Sequence, residues 1–420
     1  MVPRAATRSP VRGCAVGALA LVLCAGAGVP AAAQDWPDRP VAVLDGRVTV
    51  SGELTVTAAP DDPGYFNFAD YEHSTLRLVR LGVTSVFRPT DRLSFLLELR
   101  AEGDSADGHW TGAPYAAYVR VRPWTTRDIE LRAGRIPTAF GRFASRPYGA
   151  GNPLIGYPLA YHYLTSLRAD TLPATADELV AMRGRGWLTG YSVGDSSLQP
   201  GVPLVNVFRY DAGVMARAGL PADRGDVSVS VTTGTLSHPR LDHNGAPQLA
   251  GRLTLQPVVG LVFGASASDG RFLVERAEDA LPSGAAGRAS RQRAFGADLE
   301  YSRDYWLLRT EVVASRWTLP AVAAPRLDSP LWAASWLLEG RYTLRPGIYA
   351  AARFDQLLFN RIDTTAGRMP WEAGVWRVEA GLGYAPRRQV MLKGTVQYNR
   401  RDGGRIQRAT LAAAQVSLWF

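Results

Sequence analysis

Charged residues recur at every second position in several segments of the chain, next to apolar neighbours. Arg120 and Arg122 lie two residues apart, and Arg132 lies in the following segment together with Glu130. A guanidinium group donates hydrogen bonds in a planar fork and binds carboxylates and phosphates in pairs. Because few acids stand near these three arginines in the sequence, we predict that they form a ladder that can attract an anion.

The same charges have a simpler interpretation. Arginines and acids on neighbouring strands form cross-strand ion pairs that keep a wide sheet in shape, and we favour this interpretation for most charged positions. The functional alternative is an electric field across an opening that solutes cross. Its candidate residues are Glu98, Arg100, Arg120, Arg122, Glu130, Arg132, Arg135, Arg142, Arg146 and Arg168.

Residues suited to catalysis or metal binding are few. All the histidines are predicted in loops, where no rigid strand holds them beside a nucleophile: His73, His109, His162, His238 and His243. Residues 237–243 contain two histidines and an acid, which could ligate a metal, but loop histidines this close are more often solvated. No glycine-rich phosphate loop opens a helix. The sequence therefore predicts no cofactor and no metal, and it disfavours an enzyme.

The amino-terminal segment has the pattern of a secretory signal. Three arginines precede an uncharged run from Cys14 to Val29, and small residues precede a predicted cleavage site after Ala33. An uncleaved anchor is disfavoured because the run is short for a bilayer. A lipoprotein is disfavoured because no small residue stands directly before Cys24.

Removal of residues 1–33 changes the chemistry available to the chain. Both cysteines lie in this segment, so residues 34–420 can form no disulfide and no thiolate metal site. The net charge falls from +9 to +6, because three arginines and no acid are lost. An export signal and evenly spread basic residues both disfavour a nucleic-acid partner.

Segments of alternating polarity follow one another through the rest of the chain, as expected for strands. The short connections between them alternate with long ones rich in Gly, Pro and Asp. This pattern predicts an all-β fold, a 16-stranded antiparallel transmembrane β-barrel over residues 47–420 after a short segment 34–46. A soluble β-sandwich has no reason to alternate its loop lengths. The predicted strands are 47–57, 75–87, 92–101, 114–122, 128–135, 205–219, 226–235, 248–256, 258–268, 292–302, 304–317, 331–344, 347–357, 374–385, 389–399 and 409–420.

The two faces of these strands differ in polarity. Val378 and Leu382 alternate with Arg377 and Glu379, and Tyr115 is predicted on the apolar, lipid-facing side of its strand. A charge facing lipid at mid-depth costs about 2–4 kcal/mol, so the sorting has physical meaning. Inward candidates also include Glu311, Arg353 and Lys393. Aromatic residues at strand ends are predicted to form interfacial girdles: Trp306, Trp317, Trp332, Tyr342, Trp376, Tyr384, Tyr398 and Phe420.

The third external connection, residues 137–203, is long enough to enter the barrel. A sixteen-stranded barrel encloses more space than its own side chains fill, and a loop of this length usually has a function. Apolar residues such as Leu154, Tyr157 and Leu167 would require burial. Residues 177–183 could form a helical turn capped by Thr175. We predict that this loop folds into the lumen.

Two stretches resemble a known family. The last strand, 409–420, ends in Phe420 and resembles the closing strand of bacterial outer-membrane β-barrels. Gly134-Arg135 and Phe140-Gly141, within residues 130–141, resemble the segment that enters the constriction loop in porins of the phosphate-selective O/P type and their relatives. The resemblance implies an outer-membrane lipid environment, recognition of Phe420 by the assembly machinery and a homotrimer. Lys393 is the only lysine, so the phosphate preference of lysine-rich members is not carried over.

Together these features predict a passive outer-membrane channel for small hydrophilic solutes, mildly anion-preferring and narrowed by the inserted loop. The alternative is a barrel closed by its own loop, which would serve as a surface-binding or structural protein.

Overall fold

The computed structural model describes residues 39–68, 74–104, 110–143, 149–206, 210–237, 246–282, 290–327 and 330–420. The predicted signal segment, 1–33, lies outside these residues, as do four of the five histidines: His73, His109, His238 and His243. None of the helices in the described part of the chain has the length and apolar character needed to cross a membrane.

Sixteen antiparallel strands form a closed barrel, which confirms the predicted fold class. Each strand pairs with its neighbours in the chain, and the last pairs with the first, from Glu53 opposite Trp419 to Ala58 opposite Ala414. The strands are β1 (Val48–Ala58), β2 (Leu78–Phe87), β3 (Leu93–Asp104), β4 (Trp110–Val121), β5 (Ile129–Pro137), β6 (Tyr210–Gly219), β7 (Gly225–Thr232), β8 (Gln248–Val258), β9 (Leu261–Arg271), β10 (Arg291–Arg303), β11 (Trp306–Thr318), β12 (Leu331–Arg345), β13 (Ile348–Phe359), β14 (Val375–Arg387), β15 (Val390–Arg401) and β16 (Arg408–Trp419).

Apart from the helical turn predicted at 177–183, which the structure has as a helix over Ala176–Ala181, the short elements outside the barrel wall were not predicted. A three-residue strand, Val41–Val43, pairs with the start of β1. The connection between β13 and β14 contains a small hairpin of Arg361–Thr364 and Gly367–Pro370. Two-residue strands and short helices shape the long loops, and hydrophobic periodicity alone cannot reveal elements this short.

The barrel wall has one apolar face and one polar face. On β7 the outward residues Val227, Val229 and Val231 are exposed, whereas the inward Ser230 and Thr232 are buried. Successive side chains of a strand point to opposite faces, so the alternation seen in the sequence becomes a division between outside and lumen. An exposed apolar band around a closed sheet is the surface that a bilayer requires.

A β-bulge overturns one predicted orientation. Between β3 and β4, Glu98 pairs with Ala116 and Leu99 pairs with Pro114, which leaves Tyr115 as an extra residue. Tyr115 is buried on the lumen side, with its ring 3.3 Å from the guanidinium carbon of Arg100. A bulge shifts the alternation of the strand that contains it, so the prediction that Tyr115 faces lipid is wrong.

A second correction concerns the predicted aromatic girdles. Trp306, Trp332 and Tyr384 are exposed at strand ends, but Trp317 is fully buried and packs edge-on against Trp371. Trp317 occupies an inward position of β11 at the external end, the end with the long connections, where loop residues cover it. Its position near a strand end did not reveal the face on which it lies.

The division between the two faces gives a stability prediction. Val312 lies at the middle of β11 with its side chain exposed on the outer wall. We expect Val312→Arg to lower the free energy of unfolding by about 2–4 kcal/mol, because the guanidinium group would face lipid. Denaturant unfolding in lipid vesicles, followed by tryptophan fluorescence, measures this change. Val312→Leu is the matched control, and an equal effect of both substitutions would contradict the assignment of this face.

Candidate functional site

Two glycines are required by the backbone near the start of the connection from β5 to β6, one within β5 and one just after it. Gly134 has a φ of +127°, and a Cβ there would lie 2.4 Å from the carbonyl oxygen of Ala117. Gly141 has a φ of +70°, and a Cβ there would lie 2.2 Å from the hydroxyl of Tyr161. Only glycine fits positions of this kind. The two glycines of the stretch that resembles porins therefore have a structural role at the entry to the loop.

Two short helices give the loop internal structure. Helix α1 spans Leu159–His162 and α2 spans Ala176–Ala181. The side chain of Thr175 accepts a hydrogen bond of 3.2 Å from the backbone nitrogen of Glu178, which confirms the predicted cap.

Charged residues on the inner wall bind the backbone of this loop. Glu379 of β14 accepts hydrogen bonds from the backbone nitrogens of Ile155 at 3.2 Å and Gly156 at 2.9 Å. Its other carboxylate oxygen lies 2.6 Å from a guanidinium nitrogen of Arg353, which also donates to the carbonyl of Gly156 at 2.7 Å. Both charged side chains are fully buried. The loop backbone is thus part of a buried ionic network.

Lys393 extends this network to the beginning of the loop. Its ammonium group donates to the backbone carbonyls of Asn152 at 2.6 Å and Leu154 at 3.4 Å, and also contacts the carbonyl of Gly149. A lysine ammonium has three donors and no acceptor, so several carbonyl groups suit it. The one lysine of the chain holds the loop against β15 and does not line an open lumen.

Apolar residues from several external connections form one cluster inside the external end of the barrel. Tyr157, Leu159, Tyr161 and Leu167 of the long loop belong to it. Other connections contribute Phe66, Leu236, Phe272, Leu273, Leu319, Leu327, Ile362 and Trp371. Burial of apolar side chains is the main favourable contribution to packing. The external half of the barrel is therefore largely filled by its own loops on the side of β10–β14.

Arg120, Arg122 and Arg132 gather around one carboxylate on the part of the wall that retains exposure. Arg120 and Arg132 are directly opposite each other on β4 and β5. Arg120 and Arg122 each lie 3.7 Å from the carboxylate of Glu130, which Arg132 contacts directly. The three side chains are 28%, 49% and 22% exposed, respectively. Three guanidinium groups and one carboxylate leave an excess of positive charge facing the lumen.

The ladder lies towards the end of the barrel with short connections. Beside Arg122 the turn between β4 and β5 borders a cavity of about 320 Å³, whose lining also includes Trp124 and Asp128. Arg217 of β6 stands opposite Glu130 and donates to Asp128 at 2.9 Å. Because Arg217 also lies 3.6 Å from Asp226, its charge is matched by acids and the excess of positive charge is confined to β4 and β5.

The structure places the other predicted site residues in several environments. Arg100 and Glu98 form a buried ion pair of 2.8 Å. Arg135 donates to the backbone carbonyl of Tyr115 at 3.0 Å, and Arg142 lies 3.7 Å from Glu300. Arg146 lies outside the described residues.

Arg168 does not face an acid across the lumen. It is buried within the loop, where it binds Asp170 at 2.8 Å and the backbone carbonyl of Thr189 at 2.8 Å. Its role is to hold together the part of the loop that contains α2. Its position in the sequence gave no signal of this, because Thr189 is brought to Arg168 only by the tertiary path of the loop.

His162 is a buried group whose environment the sequence did not reveal. Its Nδ1 lies 2.9 Å from the carbonyl oxygen of Pro158, and its Nε2 lies 3.0 Å from that of Phe66. Burial, together with the positive charge of Arg377, lowers the pKa of His162 from its ordinary value of 6.5 to about 3. The imidazole is therefore neutral at physiological pH. Among the residues that the structure describes, no cluster of three or more His, Cys, Asp or Glu side chains is arranged to hold a metal.

Comparison with known proteins finds structures of similar fold but no relative by sequence. No protein-family model matches the chain, and no curated protein matches it in sequence. Solved structures similar to it include OmpF of Salmonella typhi in complex with daunomycin, with a TM-score of 0.55 and 11% identity over 89% of this chain and 97% of that chain. The chain has the fold of an outer-membrane porin.

Two further structures support this assignment of the fold. The anion-selective porin from Comamonas acidovorans has a TM-score of 0.53 and 12% identity over 89% of this chain and 98% of that chain. The outer-membrane channel DcaP of Acinetobacter baumannii has a TM-score of 0.51 and 12% identity over 89% of this chain and 97% of that chain.

Removal of one partner from the buried network should loosen the loop. Glu379→Ala would leave Arg353 buried without its 2.6 Å partner. Breaking a buried pair in this way typically costs about 3–5 kcal/mol. We expect faster tryptic cleavage after Arg183 and Arg185 in the folded barrel, measured by mass spectrometry of the fragments. The control is Asp363→Ala, which breaks a largely exposed pair with Arg368. Equal cleavage rates in the two variants would show that Glu379 does not hold the loop.

The lowered pKa of His162 predicts a pH dependence of stability. Below pH 6.5 the unfolded chain protonates this histidine, whereas the folded protein keeps it neutral until the pH approaches about 3. Stability is therefore lost on acidification between these values, by up to about 1.4 kcal/mol per pH unit. Denaturant unfolding of the native protein and of His162→Gln between pH 7 and 4 isolates this contribution from that of the carboxylates. Parallel pH profiles would contradict the assignment.

Proposed function

We propose that the protein is a passive channel of the outer membrane for small hydrophilic solutes. The observation that carries the proposal is the partly exposed guanidinium groups of Arg120, Arg122 and Arg132 on the inner wall. Charged side chains with water access inside a closed barrel suit a polar path through it. The porin fold of the chain supports the same function, and no catalytic role is part of the proposal.

We infer a mild preference for anions from the balance of charge on this wall. Glu130 is shared by three arginines, whereas Arg252 further along the wall is matched by Asp298 at 2.7 Å. Arginine retains its charge at all relevant pH values and binds oxyanions in two-pronged geometry. Phosphate selectivity of the O/P type is not proposed.

Two parts of the inner wall, β13–β15 and β4–β5, have different roles in this proposal. On β13–β15 the charges of Arg353, Glu379 and Lys393 bind the loop backbone. On β4 and β5 the arginines retain exposure to solvent. The channel would therefore pass between the inserted loop and the basic wall, with the loop setting its width.

The second candidate function is a barrel closed by its own loops that acts as a surface-binding or structural protein. The apolar cluster formed by the external connections favours it, because such a cluster excludes water from the external half of the lumen. Recognition of Phe420 by the assembly machinery and assembly into a homotrimer stay predictions. The outer-membrane lipid environment is common to both candidate functions.

Single-channel recording distinguishes the two candidates. Under a KCl gradient we expect discrete open steps with a reversal potential that favours chloride. In Arg120→Gln/Arg132→Gln the chloride preference should fall by roughly threefold, because each unit charge contributes on the order of 1 kcal/mol at 4 Å in water before screening by salt. The control is Arg361→Gln/Arg368→Gln, which removes the same charge from the external hairpin.

The outcomes test separately whether the barrel conducts, whether the arginines set its selectivity and whether the loop closes the lumen. Unchanged selectivity in the ladder variant would remove the arginines from the proposal while leaving the channel. Absence of steps from a protein with the heat-modifiable mobility of a folded barrel would overturn the channel. If steps then appear in Glu379→Ala, the loop seals the native lumen and the second candidate is supported.

A further inference from the structure

A basic cluster lies on the outer wall of the barrel, away from the lumen. It consists of Arg291 and Arg293 of β10 and Arg316 of β11, next to Asp269 of β9 and Trp332 of β12, and we call it the outer-rim cluster. Arg293 pairs across the sheet with both Asp269 and Arg316, and Arg316 pairs with Trp332. Four neighbouring strands thus contribute to one patch.

The side chains of the cluster point outward. The side chain of Arg293 is 52% exposed. Its chain neighbours Gln292 and Ala294 are buried on the inside, as are Ser315 and Trp317 beside Arg316. Because successive residues of a strand alternate between faces, these arginines cannot line the pore. They are separate from the arginine ladder of the lumen.

The cluster has more positive charge than its own acids neutralise. Asp269 binds Arg291 at 2.8 Å and lies 3.5 Å from Arg293. Arg316 has no ion pair with a described acid; it lies over the ring of Trp332 at 5.5 Å, and its Nε is buried without a hydrogen-bond partner among the described residues. Arg271, the next basic residue on β9, is already paired with Glu278 at 3.3 Å. Three guanidinium groups and one carboxylate leave two positive charges.

The cross-strand register of β10 and β11 makes the excess positive charge unfavourable. Arg293 and Arg316 are direct cross-strand partners, and like charges directly opposite each other destabilise a sheet. An anion bound between the two guanidinium groups would remove the repulsion and satisfy the free donor of Arg316. The arginine fork matches the oxygens of a phosphate group in particular.

The depth of the cluster indicates where such an anion would come from. The arginines lie at the external ends of β10 and β11. Outward residues nearer the middle of the wall include Phe295 and Val312, both apolar and exposed. Trp332 adds an amphipathic ring of the kind found at membrane interfaces. A phosphate at this level would belong to a molecule whose chains lie along the apolar belt below it.

We propose that the outer-rim cluster binds the phosphate groups of a lipid headgroup in the external leaflet. The phosphate would lie between Arg293 and Arg316, and the acyl chains would cover Phe295 and Val312. This inference rests on the proposed location of the barrel in the outer membrane, and it is independent of whether the lumen conducts.

Native mass spectrometry of the detergent-solubilised mature protein tests the proposal. Diphosphoryl lipid A is the phosphorylated probe, the same lipid without phosphates tests the headgroup, and inorganic phosphate tests a soluble anion as the source. The substitution is Arg293→Gln/Arg316→Gln. We expect about 100-fold weaker binding of diphosphoryl lipid A, because the loss of each of two charge-assisted hydrogen bonds weakens binding by about tenfold or more. The control, Arg303→Gln/Arg345→Gln at the opposite rim, should bind as the native protein does.

Other results of these binding measurements would overturn the proposal that the cluster binds a lipid phosphate. Equal binding of the lipid with and without phosphates, or unchanged binding in the cluster variant, would overturn the proposal. Binding of inorganic phosphate as tight as that of the lipid would assign the cluster to a soluble anion instead. Heat-modifiable mobility checks that the variant is folded. Its single-channel conductance should equal that of the native protein, so failure of lipid binding and failure of the channel are read separately.

Discussion

A strand in apolar surroundings must find partners for all its backbone donors and acceptors within the sheet, because no water is available to replace them. Pairing of β1 with β16 meets this requirement by removing both edges. The rest of the structure follows from this closure. A closed sheet of sixteen strands leaves a lumen too wide for its own side chains to fill, so the long connection between β5 and β6 has space to enter. Once inside, the loop brings backbone groups away from bulk water, and these groups need partners in turn.

The charges of the inner wall supply those partners. Glu379 accepts from two loop nitrogens, and Arg353 and Lys393 donate to loop carbonyls. Buried charges are costly unless they are paired and hydrogen-bonded, and the loop backbone adds hydrogen bonds to the ion pairs of the wall. Charge on β13–β15 thus stabilises the loop, whereas the similar charge of Arg120 and Arg132 on β4 and β5 stays accessible to solutes. One residue type has two roles, which depend on whether the loop covers it.

In the external half of the barrel, burial of apolar loop residues competes with an open path for water. Apolar residues of several connections gain free energy by packing together, but each residue added to this cluster narrows the path for water. The same balance explains why a channel and a closed barrel are both reasonable functions for this fold. The outer wall has its own requirement, since Arg293 and Arg316 are like charges directly opposite each other, and an anion between them would reduce their repulsion.

Much of the architecture was determined by the sequence itself. Alternation with a period of two is local, so the sixteen strands and the placing of Arg377 and Glu379 on the inner face could be predicted without coordinates. The cap of α2 at Thr175 is equally local. The orientation of Tyr115 could not be predicted, because a bulge is a property of a pair of strands and not of one.

The same distinction applies to the candidate site. The sequence placed Arg120, Arg122 and Arg132 on neighbouring strands, but only the cross-strand register brought all three to Glu130. It gave no sign that Arg168 would be buried within the loop or that His162 would be neutral. Local periodicity determines which face of a strand a side chain occupies. The partners of that side chain come from segments distant in the chain, and only the tertiary structure decides which of them meet.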